Sequence, residues 1–342
     1  MKKLVALVLA GATMLMTGCG STQTAETDAY KGQTLKFYNW GEYVGENVVA
    51  DFEKQYGCKV ISEYFDSNEM MYTKLQAGDA YDVIVPSDYM IERMKKEDML
   101  QPLDKDKIPN LSKLTDKMSC DFDPDHEYSV PYFWGNVGLV YNKTKVSKDE
   151  IEAKGWDILQ DTKYKDSIYV YDSERDAFMV AFKALGYSMN TDKEEEIKAA
   201  SQWLKTVNDT MGPVYVTDEV IDSMSNGAKD IAVVYSGDAA YILDQNEDMA
   251  YCQPEQGTNV WTDAMVIPKN AENPELANVF INFILEDKES LDNSQTVGYA
   301  SSNQNVLDEL SEGDYAENEA YLPRSGYDKD EYFHDNETLR AK

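Results

Sequence analysis

Between Leu35 and Met94 the spacing of apolar residues switches repeatedly between two periods. That alternation limits the fold more than any other feature of the chain. Leu35 to Trp40 is a short apolar and aromatic strand. Val44, Val48, Phe52 and Tyr56 then recur at helical spacing, and Gly57 stops the helix. Lys59 to Phe65 alternates, which predicts a strand. Ser67 precedes a helix carrying Met70, Met71 and Leu75, ended by Gly78. Tyr81 to Val85 is a continuous apolar strand closed by Pro86, and Ser87 caps a helix with Met90, Ile91 and Met94 on one face. Strand and helix in strict alternation predict a parallel sheet covered on both faces, with ligands meeting loops at the carboxyl ends of its strands.

Further along the pattern is looser. Residues 102–128 are rich in Pro, Asp and Lys and read as irregular. Tyr128 to Tyr141 reads as strand broken by Gly135 and Gly138. Ile168–Tyr171 and Asp230–Tyr235 are short strands enclosing helices near Ala177–Leu185 and Glu194–Val207, which suggests a second α/β lobe. Trp261–Ile267 is another strand, followed by an amphipathic helix carrying Leu276, Val279, Phe280, Phe283 and Ile284. The acidic segment 306–342 has no evident place.

The start of the chain addresses the compartment. Lys2 and Lys3 precede an apolar run, Leu4 to Met16, shorter than the ~20 residues that span a bilayer. It ends in Leu15-Met16-Thr17-Gly18-Cys19, which resembles a lipobox. Residues 1–18 are therefore expected to be a lipoprotein signal, Cys19 the lipidated residue, and 19–30 a polar tether. An ordinary cleaved signal with a chance cysteine is the alternative. The expected location is extracytoplasmic, anchored to the membrane through Cys19. Removing Lys2 and Lys3 moves the net charge from −31 to −33. So acidic a surface repels nucleic acid and anionic lipid and argues against phosphate or nucleotide cargo. Cys58, Cys120 and Cys252 form no close pair, so at least one free thiol is expected. His126 and His334 have no metal-ligand spacing. No G-x-S-x-G or H-E-x-x-H motif occurs, which argues against a hydrolase. No cofactor is expected. The exported chain exceeds the ~250–300 residues that one core organises, so two lobes are expected.

Five local motifs go further. Phe37-Tyr38-Asn39-Trp40-Gly41-Glu42-Tyr43-Val44 follows the first strand, and Asp82-Val83-Ile84-Val85-Pro86-Ser87-Asp88-Tyr89 the third. Val130-Pro131-Tyr132-Phe133-Trp134-Gly135, Tyr235-Ser236-Gly237-Asp238 and Trp261-Thr262-Asp263-Ala264-Met265-Val266-Ile267-Pro268 come later, in that order. Together, over residues 33–305, they resemble the spermidine/putrescine-binding proteins of bacterial ABC importers. The resemblance implies a type II periplasmic-binding-protein fold: two α/β lobes with a ligand cleft between them, lobe 1 from 31–139 plus 265–305 and lobe 2 from 140–264 plus 306–342. It also implies a monomer that binds a polyamine and passes it to a membrane permease and its ATPase.

A polyamine carries separated ammonium groups on methylene chains, so its site needs spaced carboxylates and flat aromatic walls. Carried over residue by residue, the resemblance places Trp40, Glu42, Tyr43, Ser87 and Tyr89 on the first lobe's cleft loops. It places Asp176, Tyr235, Asp238, Trp261, Asp263 and Tyr299 around them. Trp261 and Asp263, two apart on a strand, face one side, so a ring and a charge act together. Ser87 is read both as a helix cap and as a cleft hydroxyl. The chain departs from its relatives at Gly41, where some carry a hydroxyl, at Ser173, where an acid is lost, and at Asp176, a shortened Glu. Tyr235 stands where Trp is common, and a C-terminal Gln has no counterpart near Tyr332-Phe333-His334. Another small organic cation, or a sensory role with the same cleft, are the alternatives.

Overall fold

The computed structural model describes residues 29–118 and 120–337. The expected signal, the lipidation site Cys19 and most of the tether lie outside them. The first βα units are β1 (Thr34–Trp40), α1 (Val48–Tyr56), β2 (Lys59–Phe65), α2 (Asn68–Gln76), β3 (Val83–Ile84) and α3 (Asp88–Lys96). A long strand β4 (Ser129–Asn142) leads to α4 (Lys148–Lys154), β5 (Ile168–Tyr171), α5 (Glu174–Ala184), α6 (Glu194–Met211), β6 (Val214–Val216), α7 (Glu219–Ser225), β7 (Ile231–Tyr235), α8 (Ser236–Gln245) and β8 (Met249–Cys252). The chain returns through β9 (Val260–Val266), α9 (Pro274–Ile284), α10 (Asp287–Val297), β10 (Ala300–Ser301) and α11 (Gln304–Glu312).

Among the described residues the strands form one sheet with the path β2-β1-β3-β9-β4-β7-β5-β6, and β8 and β10 also pair with β4. β1 is parallel to β2 and β3, as the alternation requires. Leu35, Phe37, Val83 and Val85 point to one face and pack with Val48 and Phe52 of α1 and Phe280 of α9. Tyr38 and Ile84 point to the other face and pack with Met71 and Leu75 of α2 and Met90 and Met94 of α3. Burial on both faces explains why these strands lack polar alternation. The second set is covered likewise. Leu139, Ile168 and Val233 meet Met179, Phe182 and Trp203 of α5 and α6, while Val140 and Val234 meet Val220, Met224 and Ala239 of α7 and α8.

β4 links the two sets. Ser129 to Asn136 pairs with β9, whereas Val137 to Asn142 pairs with β7 and β8. Gly135 and Gly138, expected to break this strand, do not. A Cβ on Gly135 would lie 2.5 Å from the Trp261 ring, and one on Gly138 2.4 Å from the Tyr251 ring. Both glycines admit an aromatic ring onto the backbone of a continuous strand. Two other expectations shift. Val44 precedes α1, which begins at Val48. The strand expected over Tyr81–Val85 pairs only at Val83–Ile84. Asp82 there takes the Lys36 N–H on its carboxylate at 2.8 Å, so a side chain replaces part of the ladder.

The acidic segment after α11, which periodicity left unplaced and the resemblance assigned to the second lobe, meets both α5 and α3. Glu331 accepts from the buried Lys183 of α5 and from Ser188, and its own N–H donates to Thr258 O. Phe333 is buried against Tyr89, and Glu92 of α3 accepts the Asp335 N–H. Cys58, Cys120 and Cys252 are all free thiols. No described helix is long and apolar enough to cross a membrane.

Candidate functional site

β1 ends at Trp40, whose indole N–H donates to Val85 O at 2.9 Å and whose ring lies 4.5 Å from that of Phe65. The chain then turns. Glu42 takes a left-handed backbone, φ 51°, and is exposed. It makes no hydrogen bond or ion pair among the described residues, so it stands apart from the other predicted residues. The turn returns Tyr43 to the interior. Its backbone carbonyl accepts from Asn39 and from Tyr132 Oη, both at 2.8 Å. Its hydroxyl donates to Asp263 Oδ2 at 2.9 Å.

Strand β9 supplies the centre. Asp263 pairs across β4 with Phe133 and Trp261 with Gly135, so the two residues share a face. The Trp261 indole sits in the space left by Gly135. It meets the Tyr299 ring edge-on at 5.0 Å and the Tyr235 ring at 6.1 Å. Its Nε1–H is buried and has no acceptor among the described residues. Tyr43 lies 5.8 Å from Tyr299, and Tyr171 lies 4.7 Å from Tyr235. One aromatic row therefore runs Tyr43, Tyr299, Trp261, Tyr235, Tyr171, from the loop after β1 to strand β5.

Each tyrosine along that row except Tyr171 holds a specific acid of the predicted set. Tyr43 donates to Asp263, Tyr299 to Asp238 Oδ1 at 3.3 Å, and Tyr235 to Asp176 Oδ2 at 2.6 Å. Asp238 opens α8, where a side chain on Gly237 would collide with the Tyr299 ring. Asp176 lies in the first turn of α5, where Ser173 Oγ accepts its N–H at 3.3 Å. Removal from water favours the neutral carboxyl. It lifts Asp238 to about 7, helped by the negative charge of Asp218 and opposed by the Tyr299 hydroxyl. It lifts Asp263 to about 6 against bonds from Ser87 and Tyr43, and it raises Asp176 as well.

Ser87 and Tyr89 join from α3. Ser87 stands at the N-cap of that helix, yet its hydroxyl makes no capping bond. It accepts from Asn68 at 2.9 Å, and its backbone bridges to Asp263. The cap half of its expected double role is absent. Tyr89 donates to Glu69 Oε1 at 3.1 Å and carries the Arg175 guanidinium over its ring.

Several neighbours were not foreseen. Asp88 is buried and takes the N–H groups of Tyr89 at 2.6 Å and Thr262 at 3.2 Å; burial raises its pKa well above the carboxylate range. Tyr171, Arg175, Glu69 and Phe333 complete the rim. Asp88, Tyr171 and Arg175 all lie beside residues that the sequence pointed to, so adjacency to predicted contacts was the available signal. Phe333 lies in the segment that the resemblance set against a C-terminal Gln of some relatives, and the aromatic ring there was not read as a contact.

Three desolvated carboxylates set among flat rings suit a cation with more than one charge and apolar linkers. Each carboxylate keeps lone pairs beyond the one its tyrosine uses. The profile of the bacterial extracellular solute-binding protein family matches residues 47–323. The spermidine/putrescine-binding periplasmic protein of Salmonella typhimurium is 35% identical over 300 residues, covering 87% of this chain and 83% of that protein. The putrescine-binding periplasmic protein SpuD of Pseudomonas aeruginosa is 30% identical, covering 91% of this chain and 87% of its own length. Among solved structures, the spermidine/putrescine ABC transporter substrate-binding protein PotD of Streptococcus pneumoniae aligns with a TM-score of 0.77 and 35% identity, covering 91% of this chain and 95% of that one.

Proposed function

This chain belongs to the family of bacterial extracellular solute-binding proteins, and from that premise we propose that it captures a polyamine, spermidine or putrescine, for an ABC importer. It is a binding protein and not an enzyme. The observation that carries the reading is the row of three carboxylate–tyrosine pairs joined by Trp261. Ammonium groups bond the acids, and the methylenes lie on the rings. The contacting residues are those named from sequence, Trp40, Tyr43, Ser87, Tyr89, Asp176, Tyr235, Asp238, Trp261, Asp263 and Tyr299, with Glu42 at the exposed entrance.

The lobes are 31–139 with 265–305, and 140–264 with 306–342. The change of partners along β4 between Asn136 and Val137 supports a hinge close to the first boundary. An empty cleft holds like charges facing one another and favours opening. A bound polyamine engages both sides and populates the closed form, which the permease reads. The protein works as a monomer on the outer side of the membrane, held by a lipid on Cys19.

Titration calorimetry of residues 20–342 with putrescine, spermidine and spermine tests the reading. Saturable one-to-one binding is expected, with a smaller radius of gyration by X-ray scattering when ligand is bound. Absence of heat with all three amines at millimolar concentration would end it.

A further inference from the structure

The strand that carries Trp261 and Asp263 presents a third polar side chain on the same face. Val137 N–H donates to Asn259 O at 3.2 Å, and residue 259 bridges to Glu331, whose N–H donates to Thr258 O and whose carbonyl accepts from Val260. The extended run therefore continues from β9 back through Asn259, and the alternate residues Asn259, Trp261 and Asp263 face one side. Asn259 is 3% exposed, and its amide oxygen is buried with no hydrogen-bond partner among the described residues. A buried acceptor left unmade is costly, so this atom points to a donor that arrives with a ligand.

Helix α5 lies against this end of β9. Thr258 Oγ1 is 3.9 Å from Met179 Sδ, one turn beyond Asp176 on that helix. Tyr235 ties the two elements together, its ring 6.1 Å from that of Trp261 and its hydroxyl on Asp176 Oδ2 at 2.6 Å. Burial raises Asp176, while the Tyr235, Ser173 and Asn259 side chains favour its ionised form. Only the NH2 of an asparagine side chain can donate, so Nδ2 serves the Asp176 carboxylate and Oδ1 is left over. An ammonium group complements that pair. It brings several N–H donors and no acceptor, so it can bond a carboxylate and an amide oxygen together. A neutral amide also supplies the acceptor without adding a fourth negative charge to three desolvated carboxylates.

Building on the polyamine reading above, we infer that Asn259 is a further ligand-binding residue, its amide oxygen accepting an N–H from the ammonium group that Asp176 neutralises. The two side chains make one subsite at the α5 end of the slot. The backbone bonds that hold residue 259 do not involve its side chain, so replacing that side chain leaves the strand in place.

The test is calorimetry with putrescine and spermidine on the unaltered protein, Asn259→Ala, Asn259→Leu, Asp176→Asn, and Asp176→Asn combined with Asn259→Ala. Leucine fills the volume of asparagine without its oxygen, so it separates a lost acceptor from a cavity. Both Asn259 variants are expected to bind each amine about tenfold more weakly, the scale of one hydrogen bond from a charged donor. Their urea unfolding without amine is expected to stay close to the parent's. In Asp176→Asn the other two acids still hold the amine, and losing the Asn259 oxygen there is expected to cost about threefold or more. A residue that only positions the Asp176 carboxylate has no effect in that background, so an unchanged affinity overturns the inference. N,N,N′,N′-Tetramethylputrescine makes the same comparison from the ligand side. Each of its ends has one N–H, which the carboxylate takes, so Asn259→Ala is expected to bind it as the parent does; a loss equal to that for putrescine overturns the inference too. If the unaltered protein binds no amine, the polyamine reading itself falls. If it binds amines and both Asn259 variants match it, only the role of Asn259 falls.

Discussion

Asp263→Asn separates binding from stability because the structure assigns the two effects opposite signs. Asp263 is 7% exposed, and burial lifts its carboxyl to about 6. The ordinary value of an aspartate is ~3.9. The folded state therefore holds the proton more firmly than the unfolded state. Any stability from this group is fully present below pH ~4 and is lost as pH rises through about 6. Above that, the ionised carboxylate costs the free protein about 3 kcal/mol, since each tenfold difference in proton affinity is worth ~1.4 kcal/mol. Asparagine removes the charge and keeps an oxygen for the Tyr43 hydroxyl, with Ser87 near its amide. At pH 7.5 the unliganded variant should be more stable by about 1–3 kcal/mol, the range allowing for a less well-matched amide. Polyamine affinity should fall by about 1.5–3 kcal/mol, the worth of a hydrogen bond to a charged group, or roughly tenfold to a hundredfold. Urea unfolding at pH 7.5 and pH 4, with calorimetry at pH 7.5, reads both quantities. The stability gain should vanish at pH 4, where both proteins are neutral at this position. A variant that is less stable at pH 7.5, or one that binds as tightly as its parent, refutes the reasoning.

Four further outcomes follow from the structure. With Asp238 lifted to about 7, an incoming ammonium drives it to ionise, so binding at pH 7 should release about half a proton; calorimetry in buffers of differing ionisation enthalpy measures this, and proton uptake contradicts it. Affinity should also weaken as pH falls from 8 to 5 through the Asp238 and Asp263 ranges. Gly135→Ala puts a methyl group 2.5 Å from the Trp261 ring and 2.6 Å from Ser236 Oγ, so it should cost about 1–3 kcal/mol in urea unfolding and weaken binding by displacing the indole. Lys183→Ala strips Glu331 of its buried partner and should cost about 3 kcal/mol; a loss under ~1 kcal/mol means that the acidic segment is not held there.

The first lobe was legible because its information is local. β2 spans Lys59–Phe65 as its alternation indicates, and Gly57 closes α1 in a left-handed conformation. Glycine in β4 misleads for a reason that is also physical. The same residue type marks a chain break and a place where a distant ring presses on a strand, and only the position of Trp261 or Tyr251 distinguishes them. Ser87 shows the parallel ambiguity for hydroxyls. Its place before α3 is that of a cap, but Asn68, 19 residues away, claims the oxygen.

The chain by itself determined the alternation of strand and helix, the acidic charge, and the stock of aspartates and aromatic rings from which a cation site is built. Periodicity and composition are properties of neighbouring residues, so they survive without a fold. Which tyrosine meets which acid was decided by the tertiary structure alone. The partners are 220, 61 and 59 residues apart, and the path of strands through one sheet brings them together. The raised pKa values belong to that level too, because a carboxyl departs from its ordinary range only when folded neighbours have taken the water away.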